Sequence, residues 1–137
     1  MQFACINEDC WQLRDTELAH PGLPLTGEIP SLSTRTSLKP GDAVRIILEI
    51  ALEDEKGEQR VEWERGFVIV AEVVDDKYIG ILDFQPACLK PDQDDTYLCF
   101  GAEIPFAAQH VIDIDHPPED YVEWQLEQPP ERIWYRR

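Results

Sequence analysis

Lys39-Pro40-Gly41-Asp42-Ala43-Val44-Arg45-Ile46-Ile47-Leu48-Glu49-Ile50-Ala51-Leu52-Glu53 opens with a turn and continues as an alternation. Val44, Ile46, Leu48, Ile50 and Leu52 share one parity; Arg45, Glu49 and Glu53 share the other. Successive side chains of a strand point to opposite faces, so this is a β-strand with one buried face. The run from Glu53 to Arg60 holds no apolar residue and contains Gly57, the composition of a solvated hairpin loop. Beyond it a long strand is predicted, with Val61, Trp63, Phe67, Ile69, Ala71 and Val73 inward and Glu62, Glu64 and Glu72 outward. Gly66, in its middle, predicts a bulge or sharp bend. Asp75-Asp76-Lys77 reads as a tight turn. A third strand follows, in which Tyr78, Gly80, Leu82 and Phe84 alternate with Ile79, Ile81 and Asp83 until Pro86 stops the ladder.

On the C-terminal side, Pro91 to Thr96 reads as a loop, Tyr97 to Phe100 as a short strand, Gly101 as a break and Ala102 to Phe106 as another short apolar stretch. Ala107 to Gln109 predicts one helical turn, and His110 to Ile114 a strand that closes the sheet. On the N-terminal side, His20-Pro21-Gly22-Leu23-Pro24, Pro30 and the polar run Ser31 to Ser37 give turns and extended pieces, with room only for a short helix near Glu8 to Leu18. The last residues, Glu119 to Arg137, mix acids with Tyr121, Val122, Trp124, Leu126, Ile133, Trp134 and Tyr135. That is too aromatic for a disordered tail, so it is expected to dock on the barrel or on a partner.

The expected architecture is mainly β: a small, partly open antiparallel barrel of the Src-homology-3-like kind within a single domain, 1–137. Residues 1–37 form an irregular extension, 38–114 the barrel and 115–137 an aromatic, acidic C-terminal arm. Nothing helical of crossover length lies between the strands, which argues against a parallel α/β fold.

Twelve Lys and Arg stand against 28 Asp and Glu, a formal net charge of -16. That field repels nucleic acid and anionic membranes and attracts basic surfaces, although an acid excess also simply keeps a small protein soluble and monomeric. The chain lacks both an apolar run of membrane-spanning length and the signature of a secretory signal at Met1-Gln2-Phe3-Ala4-Cys5, so a cytoplasmic location is expected. In that compartment Cys5, Cys10, Cys88 and Cys99 are expected to be free thiols. A four-thiolate zinc site is the alternative, and would need the N-terminus folded onto the last hairpin.

Leu38-Lys39-Pro40-Gly41-Asp42-Ala43-Val44-Arg45, the strand Phe67 to Val74, Tyr78-Ile79-Gly80-Ile81-Leu82, Glu103-Ile104-Pro105-Phe106 and His110-Val111-Ile112-Asp113-Ile114 together resemble small uncharacterised bacterial domains found among the immunity proteins of polymorphic toxin systems. The resemblance covers about residues 38–114 and implies an intracellular protein that binds and blocks a toxin, or a relative of unknown role in the same fold. The N-terminal extension and the Trp-rich tail depart from that compact pattern.

Chemistry-bearing patterns are sparse. His20, His110 and His116 have no Glu or His at the spacing of a zinc hydrolase, and His110 is expected to close the barrel and hydrogen-bond locally. Ser31, Ser33 and Ser37 lie in a polar linker without a Gly-x-Ser-x-Gly turn. Asp92, Asp94 and Asp95 read as a solvated charge cluster, since their loop lacks the Gly and the distant Glu of a calcium hand. No cofactor is implied.

Trp and Tyr within polar surroundings are the usual anchors of protein interfaces. Trp63 flanked by Glu62 and Glu64, and Trp124 with Tyr121 and Glu123, therefore predict aromatic anchors inside acidic rims. The function expected is an acidic protein-binding module, immunity-type or otherwise, for a basic protein partner, acting as a monomer or weak homodimer and without catalysis. The alternative is a ligand-binding barrel or small enzyme with a Trp- and Tyr-lined pocket between the barrel and its N-terminal extension.

Overall fold

The computed structural model describes residues 1–17, 29–90 and 96–136. His20 and the Asp92, Asp94 and Asp95 cluster lie outside the described residues. A short helix α1 (Ile6–Asp9) and strand β1 (Trp11–Leu13) come first, then α2 (Leu32–Arg35). Strands β2 (Ala43–Glu53), β3 (Gln59–Val74), β4 (Lys77–Leu82), β5 (Glu103–Phe106) and β6 (Asp113–Asp115) follow, and α3 (Glu119–Glu127) is last. The fold is mainly β: a six-stranded antiparallel sheet in the order β1-β2-β3-β4-β5, with β6 also on β2, curled into a half-barrel.

The β2–β3 hairpin is the frame. Its loop closes as expected, with Gly57 at φ 80 and the Asp54 carboxylate accepting from the amides of Lys56 and Glu58. Leu52 pairs with Arg60, and the ladder runs unbroken to Ala43 opposite Ile69. Pairing transfers the parity of β2 onto β3: Val44, Ile46, Leu48 and Ile50 stand opposite Val68, Gly66, Glu64 and Glu62. This reverses the facing of β3 expected from the sequence. The inner face holds Glu62, Glu64, Gly66, Val68 and Val70, whereas Val61 and Trp63 lie outward, 56% and 46% exposed. The alternation on β3 is real, but its direction is fixed by the partner strand, which the local pattern does not contain.

Gly66 is not a bulge; the register shift falls between Val70 and Glu72. Glycine is required at position 66 because the Phe84 ring lies across it. Asp75 takes a positive φ in the tight turn between β3 and β4. Tyr97 to Phe100 is not a strand, whereas the turn at Ala108–His110 and a closing strand are present, the latter at Asp113–Asp115.

Two edges of the curl are finished by segments read as extensions. β1 and β6 lie along the same edge of β2, pairing with Leu48–Ile50 and Ala43–Arg45. Within the segment expected to be an irregular extension, Trp11–Leu13 is therefore part of the sheet, through the backbone pairing of three residues. At the other edge the C-terminal arm covers β5: Arg132 pairs with Ala102, and Glu103 donates its amide to the Arg132 carbonyl. The open seam is shut by rings from both termini and one loop. Trp11 stacks on Tyr97 at 5.8 Å, and Trp134 meets both edge-on. Trp11 and Trp134 thus pin the termini to the barrel.

Inside the curl, Val44, Ile46, Leu48, Val68, Val70, Leu82, Ile104, Phe106 and Val111 form a core with almost no exposure. Ile47, Ile69, Ile79 and Ile81 are buried on the opposite face, against which α3 packs. A sheet covered on both faces reads as near-continuous apolar sequence, as Ile46-Ile47-Leu48 and Val68-Ile69-Val70 do. Among the described residues no helix is long and apolar enough to cross a membrane.

Candidate partner-binding surface

α3 begins after Pro117-Pro118, carries Glu119 and Asp120 in its first turn where they complement the helix dipole, and ends before Pro129-Pro130. Residues three apart share a helix face. Val122 and Gln125 accordingly turn toward the sheet, the former 3.6 Å from where a Cβ on Gly41 would sit, the latter 2% exposed. Tyr121 and Trp124 turn outward, 36% and 49% exposed, their rings 5.9 Å apart. Glu119, Asp120, Glu123 and Glu127 are all exposed around them. The Tyr121 hydroxyl donates to the Asp83 carboxylate at the end of β4, which fixes the outward ring. Burial raises the pKa of Asp83 against the lowering effect of that bond, and burial together with Asp83 pushes the Tyr121 phenol up to about 12.

Five of the nine exposed large hydrophobic side chains among the described residues belong to this region: Phe100, Tyr121, Trp124, Ile133 and Tyr135. A cleft of about 410 Å³ lies among them, walled by Ile81, Phe100, Trp124, Pro129 and Pro130 and floored by Gln125. Glu131 stands at its rim. It is held there because Gly101, at φ 91, has no side chain: Glu131 donates its amide to the Gly101 carbonyl, and its Cγ would lie 2.9 Å from any Cβ at that position. A second, shallower depression along Ile133 to Arg136 meets the cleft at Pro130.

The arm is tethered below this surface by Glu103, which is 5% exposed. Its carboxylate accepts from the Trp134 amide at 2.9 Å and from both terminal nitrogens of Arg136, which also reaches Glu72 at 2.9 Å. Burial pushes Glu103 up, but the bonds from Arg136 and Trp134 outweigh it and leave its pKa lowered.

Of the six residues expected at an interface, the structure brings Tyr121, Glu123 and Trp124 together on α3 and separates the other three. Trp63 faces outward with the Arg65 guanidinium 5.6 Å from its ring centre. Glu62 and Glu64 point to the opposite face and so form no rim around Trp63. Glu64 is occupied: it accepts from the amides of Ala87 at 2.7 Å and Cys88 at 3.1 Å, anchoring the loop after β4. Burial raises its pKa, but the bonds from the Cys88 thiol and those amides bring it below the usual value. Burial, then Glu64, in turn pushes the Cys88 thiol up to about 12.

Cys5, Cys10, Cys88 and Cys99 are free thiols. Among the described residues no three His, Cys, Asp or Glu side chains converge as metal ligands would, so the four cysteines are not assembled into a zinc site. The sequence reading missed Phe100, Gln125 and Glu131, because they meet only once the arm has turned back along β5. The signal available was Pro118 and Pro129-Pro130 bracketing a segment with Tyr121 and Trp124 three apart, which marks a short helix with an aromatic face. Comparison with protein-family models, curated proteins and solved structures finds no match for this chain.

Proposed function

We propose that this protein is an acidic binding module that docks a basic protein through α3 and the arm that follows it, in the manner of an immunity-type inhibitor. The observation that carries this reading is the exposed pair Tyr121 and Trp124 on a helix whose other exposed side chains are acids. Aromatic side chains with few rotatable bonds provide the affinity of such interfaces, and complementary charge provides the encounter rate and excludes wrong partners. A net charge of -16 gives the whole molecule the long-range field to steer a cationic protein. The reading makes a direct prediction. The immobilised full chain captures a stoichiometric basic protein from its own organism's lysate at low salt and releases it at high salt, identified by mass spectrometry. A stoichiometric partner that is acidic, or retention indifferent to salt, contradicts it.

A second reading is favoured by one feature. A cleft of about 350 Å³ lies between the N-terminal extension and the barrel, bordered by Cys10, Trp11, Leu52, Leu89 and Tyr97. The buried Trp11 Nε1 there has no hydrogen-bond partner among the described residues. A small ligand with an acceptor atom would satisfy that group.

A further inference from the structure

The cleft beside α3 combines three features that no single apolar or anionic ligand uses. Trp124 and Phe100 present aromatic rings, half and more than a third exposed. Glu131 sets a carboxylate at the rim, positioned by its backbone bond to Gly101. Gln125, 2% exposed at the floor, has an amide Nε2 without a hydrogen-bond partner.

An unpaired buried donor is costly, so an occupant that brings an acceptor gains more than the bond alone. Lys and Arg side chains carry no acceptor. A cationic side chain could therefore use Trp124 and Glu131 but could not satisfy the Gln125 Nε2, whereas a peptide carbonyl beside that side chain could pair with that donor after a turn about the terminal torsion of Gln125. Arginine fits the first two better than lysine, because its planar guanidinium stacks on an aromatic face while forking to a carboxylate. Its aliphatic stem has Ile81 and Pro129 to lie along. Glu131, at the rim, opposes an anionic occupant on charge.

We infer that the cleft receives an arginine side chain from an extended segment of the basic partner, with Trp124 and Glu131 taking the guanidinium and Gln125 taking a main-chain carbonyl. This rests on the basic-partner reading above and specifies which group of the partner enters.

The test is titration of acetyl-Gly-Arg-Gly-amide into the ¹⁵N-labelled full chain, followed through the Trp124 indole and Gln125 side-chain amide resonances. Both should shift and saturate. The norleucine counterpart should bind about 5-fold more weakly or worse, and the glutamate counterpart should cause no shift. Trp124→Ala and Glu131→Gln, which alter exposed side chains, should each weaken the arginine peptide by about 5-fold while leaving the remaining spectrum in place. Equal binding of the norleucine peptide overturns the inference, as does the absence of a shift at Gln125. Arginine-specific shifts on another acidic surface refute this cleft while leaving the basic-partner reading standing; no arginine-specific shift anywhere removes both.

Discussion

Gly66→Ala lowers the free energy of unfolding by roughly 2–3 kcal/mol, large for the addition of one methyl group. A Cβ at position 66 would lie 1.8 Å from Cε1 of Phe84 and 2.1 Å and 2.3 Å from two further ring atoms. The strand cannot give way, because Gly66 sits mid-ladder opposite Ile46 with pairing intact on both sides. The ring must therefore leave its place against the core, losing buried apolar surface and opening a gap. Denaturant unfolding should show a lower midpoint with an unchanged slope. The clash is a pairwise effect, so Phe84→Leu in the Gly66→Ala background should cost much less than the sum of the two single changes. Strict additivity would show that the ring does not occupy the space glycine leaves.

Acidification between pH 6.5 and about 4 destabilises the fold through His110. This imidazole is 5% exposed, accepts the Ala107 amide at Nδ1 at 3.0 Å and meets the Phe3 ring edge-on at 4.8 Å. Burial pushes its pKa from 6.5 down to about 4, against a smaller upward pull from Asp15. The sign follows from the proton count. Above pH 6.5 neither folded nor unfolded His110 is charged and the full stability is present. Below it the unfolded chain takes up a proton that the folded chain refuses, so stability falls until the pH reaches the folded pKa, for a total of up to about 3 kcal/mol. Glu64 and Glu103, whose folded pKa values are lowered, add their losses only below the ordinary carboxylate value of 4.5. Urea midpoints measured across this range should slope steeply in the wild type and flatten in His110→Asn. An unchanged slope in that variant would assign the acid sensitivity elsewhere.

These two residues also mark how far the sequence can be read. Strand β2, the hairpin at Gly57, the turn at Asp75 and the local hydrogen bond of His110 are legible because each depends on neighbours in sequence. The inward face of β3 is not. Trp63 and Val61 look like core residues beside glutamates, yet the five-residue loop before them sets a register that turns them out and brings Glu64 inside to hold the Ala87 and Cys88 amides. Gly66 announced that something unusual sits there, but a ring from a distant strand end and a bulge leave the same mark. β1 was invisible because three residues carry no period, and Trp11 is strand only by virtue of Ile50 opposite it. At the candidate surface, Tyr121, Glu123 and Trp124 were legible as aromatics among acids. The cleft was not, since Glu131 reaches Phe100 and Gln125 only through a backbone contact at Gly101, thirty residues earlier in the chain.

α3 is the proposed docking face, and the kinetics of the captured partner test this most directly. Association and dissociation rates should be measured for the wild type and for Tyr121→Ala/Trp124→Ala, at low and high salt. Loss of the aromatic anchors should raise the dissociation rate by about 100-fold while leaving the salt-dependent association rate nearly unchanged, since anchors hold and charge steers. A double variant that dissociates as slowly as the wild type would place the interface elsewhere on the molecule and contradict the reading.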